Sequence, residues 1–538
     1  MGWFHAILRA YGLPVKPAKP PLAAVQHLVI NNGADPKSLD PHKTSSVPEA
    51  NIIDDLLEGL FIFDRHGEVV PGMALYAYSS NKKTWSFHMR PGVKWSNGDP
   101  LDARDFVYSW RRLADPKTAS PSADSLRSMK VANIDEILAG KLPPEALGVK
   151  ALGPLTLHIT LSQPLGFLKQ LLVDSSLLPV HQSTIERHGD EWTQVKNWVG
   201  NGAYCPKEQV VNEKVVLSRN PNYWDNNQTV IDQVTYLPRN EEAELAGYRS
   251  GAIDITHAKI PTKQLQKLQP EFPEEYRLFP TPAVRGYLFN TKNPPFNDVR
   301  VRQALNLALD RKFIMQQLLM PEKYLAYNVV PDGLGGLKAY QPDWISWSFE
   351  QRLQMAKKLL QDAGFGPHHP LCFTLLYNTT EFNKQLGLIV RTLWDAHLGV
   401  KVTLLNQEWK TFLDTTSTGN YQAAYRSVSD DSGEPYGLLG DYLSYSCRNE
   451  TGYNSPTFDN LLDKALDSLY AAERSALYHK AEAQLAEDVP LIPLLHPAVM
   501  RLVKPYVVGL SDRNTMNRFY TKDLHIAKHP LAPQKVRQ

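Results

Sequence analysis

An α/β architecture follows from three features of this 538-residue sequence. The first half favours short segments of period-two alternation, the second half carries longer segments of helical period, and strands and helices alternate along the chain. Residues 155–161 set Leu155, Leu157, Ile159 and Leu161 against Thr156, His158 and Thr160, the pattern of a half-buried strand. Residues 212–225 read as a short strand followed by an Asn-Pro turn, and 250–258 run from a glycine turn into an apolar alternation.

The helices come next. Residues 298–319 place Val301, Ala304, Leu305, Ala308 and Leu309 on one face of a single helix, with Asp298 as an acceptor for its free N-terminal N–H groups. Residues 349–363 bring Leu353, Ala356, Leu360 and Ala363 together, and Gly364 supplies a left-handed C-terminal residue. Residues 384–397 and 458–488 carry the same period. In 94–110 an Asn-Gly turn precedes a helix that begins at Asp102.

Composition bounds the function. Hydrophobic residues make up 43% and charged residues 21%, ample for a core, and the length suggests about two to four domains. A net charge of +2 with scattered Lys and Arg gives no nucleic-acid footprint. No apolar run reaches the roughly 18 residues of a membrane-spanning helix. Cys205, Cys372 and Cys447 form no CxxC or zinc pattern and read as buried free thiols. Residues 1–24 make a poor leader or a linker: nothing basic precedes the apolar part, His5 and Arg9 interrupt it, and Pro14, Pro17, Pro20 and Pro21 stiffen the chain after it. The tail is 530–538.

Chemistry is hard to find. No nucleophile elbow, zinc-protease helix or phosphate loop is present, so neither an enzyme nor a bound cofactor or metal is expected. His368-His369-Pro370 reads as a surface turn. Asp430 and Asp431, in "RSVSDDSGEP" (426–435), could form a general acid–base pair, but neighbours in an extended chain point to opposite sides, which argues against a shared proton. Glu434 in the same stretch reads as part of a solvated turn. Among 11 Trp and 24 Tyr, Trp95, Trp110, Trp224 and Trp409 fall in polar surroundings, where an aromatic can either pack or line a pocket.

Long stretches then carry a resemblance: "DDLLEGLFIFDRHGEVVPGMA" (54–74), "WSFHMRPGVKWSNGDPLDARDFVYSWRRLADPKTASP" (85–121), "GNGAYCPKEQVVNEKVVLSRNPNYWDN" (200–226), "NPPFNDVRVRQALNLALDR" (293–311), "NQEWKTFLD" (406–414) and "RLVKPY" (501–506). In order and over nearly the whole chain, the sequence resembles the oligopeptide-binding and murein-tripeptide-binding solute-binding proteins of peptide ABC importers. The resemblance implies a type II periplasmic-binding-protein-like fold, two hinged lobes with an inserted third domain. Lobe I is expected from 25–58, 182–283 and 499–529, the insert from 59–181, and lobe III from 284–498. It also implies a monomer in the periplasm that encloses a peptide and hands it to membrane permease subunits.

For site residues, the resemblance implies that Asp431 grips the ligand's α-ammonium and that Trp409 lines the pocket. Positions that supply cations for a ligand carboxylate in the family fall here on Leu319, Asn383, Thr416 and Tyr425, none basic. Pocket tyrosines fall on Ser122, Gly286 and Pro497, and a bridging cysteine pair on Ala283 and Ser429. Arg426 and Arg285 are the candidates to replace the missing cations. Alternatives are the same fold with a haem or steroid-like cargo, a hydrolase, and a surface chaperone.

Overall fold

The computed structural model describes residues 21–532 apart from 45, 258–261, 319, 321–324, 431 and 447, and no side chains for 262–266. The described strands form six sheets, of which four organise the chain. The first sheet pairs His27–Asn31 in parallel with Gln233–Leu237, followed by antiparallel Lys214–Arg219 and Tyr204–Val210. A second, all-antiparallel sheet runs Ala74–Tyr78, Thr84–Met89, Thr156–Thr160, Val149–Ala151. In it Leu157 and Ile159 are fully buried while Thr156, His158 and Thr160 stay half-buried, as the alternation requires.

The third sheet has five strands in the order Lys401–Gln407, Cys372–Asn378, Ala423–Ser429, Ala283–Phe289, Leu491–Leu495. The first three are parallel, and the last two join antiparallel. Helices Val299–Leu307, Phe349–Asp362 and Glu381–Leu398 cover one face around Trp394. Pro456–Asp467 and Ala471–Asp488 cover the other around Phe458 and Tyr478. Leu491–Leu495 is buried throughout and Ala423, Ala424 and Tyr425 are buried at the centre, while the edge strand Lys401–Gln407 stays mostly exposed.

Two of these strands continue beyond the sheet. Tyr276–Pro280 and Ala498–Leu502 pair antiparallel just outside it and prolong Ala283–Phe289 and Leu491–Leu495. The two crossings, Thr281-Pro282 and His496-Pro497, therefore lie side by side. Thr281 N and Oγ1 both donate to Pro497 O, at 3.0 and 2.9 Å. His496 Nδ1 lies 3.0 Å from Ala283 O, and burial pulls its pKa down to about 4, so the ring is neutral. Two prolines without N–H groups interrupt the ladder here, which makes this the natural place for a bend.

Some sequence expectations change. The single helix over 298–319 is two, Val299–Leu307 and Arg311–Gln317. Asp310 starts the second by accepting from Phe313 N (3.1 Å), and the break turns Arg311 inward, where it donates to Pro493 O (2.9 and 3.0 Å) and Asn306 Oδ1 (2.6 Å). The 458–488 helix also divides, between Asp467 and Ala471. Within 250–258 Ile255 makes only isolated bridges, to Ile30 and Val503. The cysteines are not uniformly buried: Cys205 is half-buried and Cys372 exposed, both free, and Cys447 lies outside the described residues. The predicted caps hold: Asp298 accepts from Arg300 N, Asp102 forms a capping box, and Gly364 has φ +89°.

Candidate binding cleft

The strand Ala423–Ser429 leads directly into the stretch 430–436 beside the hinge. Asp430 N donates to Pro282 O (3.0 Å), so the stretch is tied to one of the two crossings. The Asp430 carboxylate accepts from Ser432 N (2.8 Å) and Ser432 Oγ, and a Cβ on Gly437 would lie 2.0 Å from it. Asp430 is thus engaged in shaping the turn. Asp431 lies outside the described residues.

Glu434 is not solvated. It is 3% exposed, Arg474 Nε donates to its Oε1 (2.9 Å), and Tyr478 Oη donates to the same oxygen (2.7 Å). Burial works against the Arg474 cation, yet the Glu434 carboxylate holds its pKa above the ordinary value. An acidic residue in a Gly-Pro turn looks exposed in sequence. Only the distant helix Ala471–Asp488 supplies the partner that allows its burial.

The tryptophans separate by environment. Trp95 and Trp110 are fully buried, and Trp224 donates to Glu58 Oε1 (2.7 Å) under the Arg90 guanidinium, 3.5 Å from the ring centroid. Trp409 opens the helix Trp409–Ser417, is 51% exposed, and stacks on Phe412 at 6.0 Å. It alone of the four offers an aromatic face to a ligand.

Arg426 already has a carboxylate. Its Nε and Nη2 donate to Glu450 Oε2 (2.8 Å) and Oε1 (2.6 Å), and Thr416 Oγ1 donates to Oε1 (3.3 Å). Arg285 is half-buried, and its guanidinium makes no hydrogen bond or ion pair with the described residues. Gly286 stands opposite Arg426 and Arg285 opposite Ser427, so the register sends the two arginines to opposite faces of the sheet. They do not form one composite cation site. Burial pushes the Tyr425 hydroxyl up to about 12, with Arg285 opposing it, and Tyr425 shares that second face.

Three of the vacated positions are closed. Thr416 is fully buried, and Asn383 spends its amide on Asn378 O (3.0 Å) and Oδ1 (2.7 Å). A Cβ at Gly286 would lie 2.0 Å from Ile492 O, so that position accepts no side chain. Leu319 lies outside the described residues. Ala283 and Ser429 stand directly opposite each other in register. Among the described residues no group of His, Cys, Asp and Glu could hold a metal, and no helix is long and apolar enough to cross a membrane.

Known proteins now place this geometry. The model of bacterial extracellular solute-binding proteins, family 5 middle, matches residues 68–450. The chain belongs to this family. The periplasmic oligopeptide-binding protein OppA of Salmonella typhimurium is 47% identical over 514 residues, 95% of each chain. The unliganded open form of the murein tripeptide-binding protein MppA superposes with a TM-score of 0.92 at 38% identity, covering 95% of this chain and 99% of that one. Haemophilus influenzae OppA in complex with RPPGFSPFR gives 0.64, also at 38%, covering 94% and 100%. At equal identity, this family 5 protein thus superposes better on the unliganded open form than on the peptide complex.

Proposed function

We propose that this family 5 protein captures peptides between its lobes and delivers them to the permease subunits of an ABC importer, acting as a monomer in the periplasm and turning nothing over. The observation that carries the reading is the close match to an unliganded open form beside the poorer match, at equal identity, to a peptide complex. Identity of 47% to an oligopeptide-binding protein favours peptide over haem or steroid-like cargo. Lobe I (25–58, 182–283, 499–529) and lobe III (284–498) close about the Thr281-Pro282 and His496-Pro497 crossings, with the insert 59–181 riding on lobe I.

In this reading Asp431 pairs with the peptide ammonium, a charge-assisted contact in a cleft that closes over it. Trp409 supplies an aromatic wall. Arg285 is the better placed of the two arginines to meet a carboxylate, because Arg426 is neutralised by Glu450. Backbone pairing with the peptide gives affinity without sequence preference.

Asp431→Ala tests the ammonium role. Calorimetric titration with tetra-alanine is expected to show affinity lowered by about tenfold or more, the value of one charge-assisted contact. Unchanged affinity removes Asp431 from the site.

A further inference from the structure

Asp430 and residues 432–436 are held by contacts from several segments. Within lobe III, Glu434 and Arg474 form an ion pair whose side chains are 4% and 5% exposed, closed by Tyr478 Oη. A Cβ on Gly335 would lie 2.8 Å from Pro435 Cδ. From the 59–181 segment, Phe167 meets Tyr436 at a centroid distance of 5.4 Å. Gln170, its amide oriented so that the nitrogen donates to Phe167 O (2.8 Å), accepts from Arg474 Nη2 (3.0 Å). The preceding Gly166 donates its N–H to Leu466 O (3.1 Å). From the C-terminal segment, Met516 and with it Phe63 close on Gly433, whose φ is +72°; a Cβ there would lie 3.3 Å from Phe63 and 3.5 Å from Met516 Sδ. Tyr436 and Met516 pack against both the lobe I core and the outer core of lobe III.

We propose that the Glu434–Arg474 pair is a positioning device, which fixes the 430–436 stretch at the meeting point of lobe I, the insert and lobe III, so that what the stretch binds sets how the lobes stand. Arg474 touches Glu434 on one side and Gln170 on the other, so the same guanidinium holds the recognition stretch and reaches the insert. Asp430 N ties the other end of the stretch to Pro282 at the hinge. A ligand that pulls on this stretch therefore loads a hinge crossing and an interlobe contact together. Neither Glu434 nor Arg474 needs to touch the ligand.

The inference rests on the peptide reading above. The test is Glu434→Gln, which keeps size and one acceptor oxygen but removes the charge. Affinity for tetra-alanine and for its N-acetylated form is measured by calorimetry, and closure at saturating peptide by small-angle X-ray scattering. The expected result is a free-amine preference reduced by about tenfold or more and a smaller change in radius of gyration than the parent shows. A purely structural role would lower thermal stability and weaken both peptides equally. The double variant Glu434→Gln, Arg474→Met removes the stranded cation, so it is the one to use should the single variant fail to fold. An unchanged free-amine preference together with parent-like closure overturns the proposal. A parent protein that itself shows no free-amine preference overturns the ammonium reading instead, and the positioning role is then decided by the closure measurement alone.

Discussion

Glu482 tests how the helix Ala471–Asp488 is braced against the chain beside it. It lies on the helix Ala471–Asp488 and is 2% exposed; Oε1 accepts from Val329 N (3.1 Å) and Val330 N (2.8 Å). Its Oε2 has no hydrogen-bond partner among the described residues. Asn328, next along the chain, stands 3.3 Å from His496 Nε2 in the hinge. Burial raises the Glu482 pKa from 4.5 to about 7, against hydrogen bonds that favour the ionised form. A carboxyl whose folded pKa is raised holds its proton more tightly when folded. The cost of ionising it is absent below pH 4.5, grows as pH rises, and is complete above about 7. At about 1.4 kcal/mol per unit, that shift corresponds to about 3 kcal/mol. Glu482→Gln keeps an oxygen for the two N–H groups but places an NH2 where no acceptor waits, which offsets part of the gain. The variant is expected to be about 1–3 kcal/mol more stable than the parent at about pH 8, with the advantage shrinking towards pH 4.5. Urea unfolding followed by tryptophan fluorescence measures the difference at both ends, provided the m-values agree. A stability difference independent of pH, or a variant less stable at the alkaline end, would show that ionising Glu482 carries no such cost.

Two tryptophan substitutions should part company. Trp409→Ala removes a 51% exposed ring and is expected to leave urea stability within about 0.5 kcal/mol while weakening tetra-alanine binding measured by calorimetry. Trp110→Ala empties a fully buried site and orphans Leu177 O, which Trp110 Nε1 reaches at 2.9 Å; it is expected to cost about 3–5 kcal/mol in the same unfolding assay.

Much of the fold was legible because it rests on local patterns. The alternation at 155–161 and the caps at Asp102 and Asp298 are set by neighbours in sequence, and they form as read. The two divided helices were not legible, since periodicity runs through both breaks. What breaks the first is a distant strand: Arg311 turns inward to reach Pro493 O. The site was less legible still. Glu434 reads as a surface acid until Arg474, forty positions on, is brought beside it. Arg285 and Arg426 look like interchangeable neighbours of the vacated positions. The strand register separates them, and Glu450 occupies one of them. Each miss has the same origin: the deciding partner is remote in sequence, and a charge or polar group is buried only when that partner arrives.

Above all, the proposed function predicts that a peptide moves this chain to a more closed arrangement. Small-angle X-ray scattering on the full-length protein, without and with tetra-alanine at a concentration that calorimetry shows to be saturating, reads that movement itself. A smaller radius of gyration and a narrower pair-distance distribution are expected with peptide, reversed when the peptide is removed. Superimposable curves under saturated binding would contradict closure on the ligand.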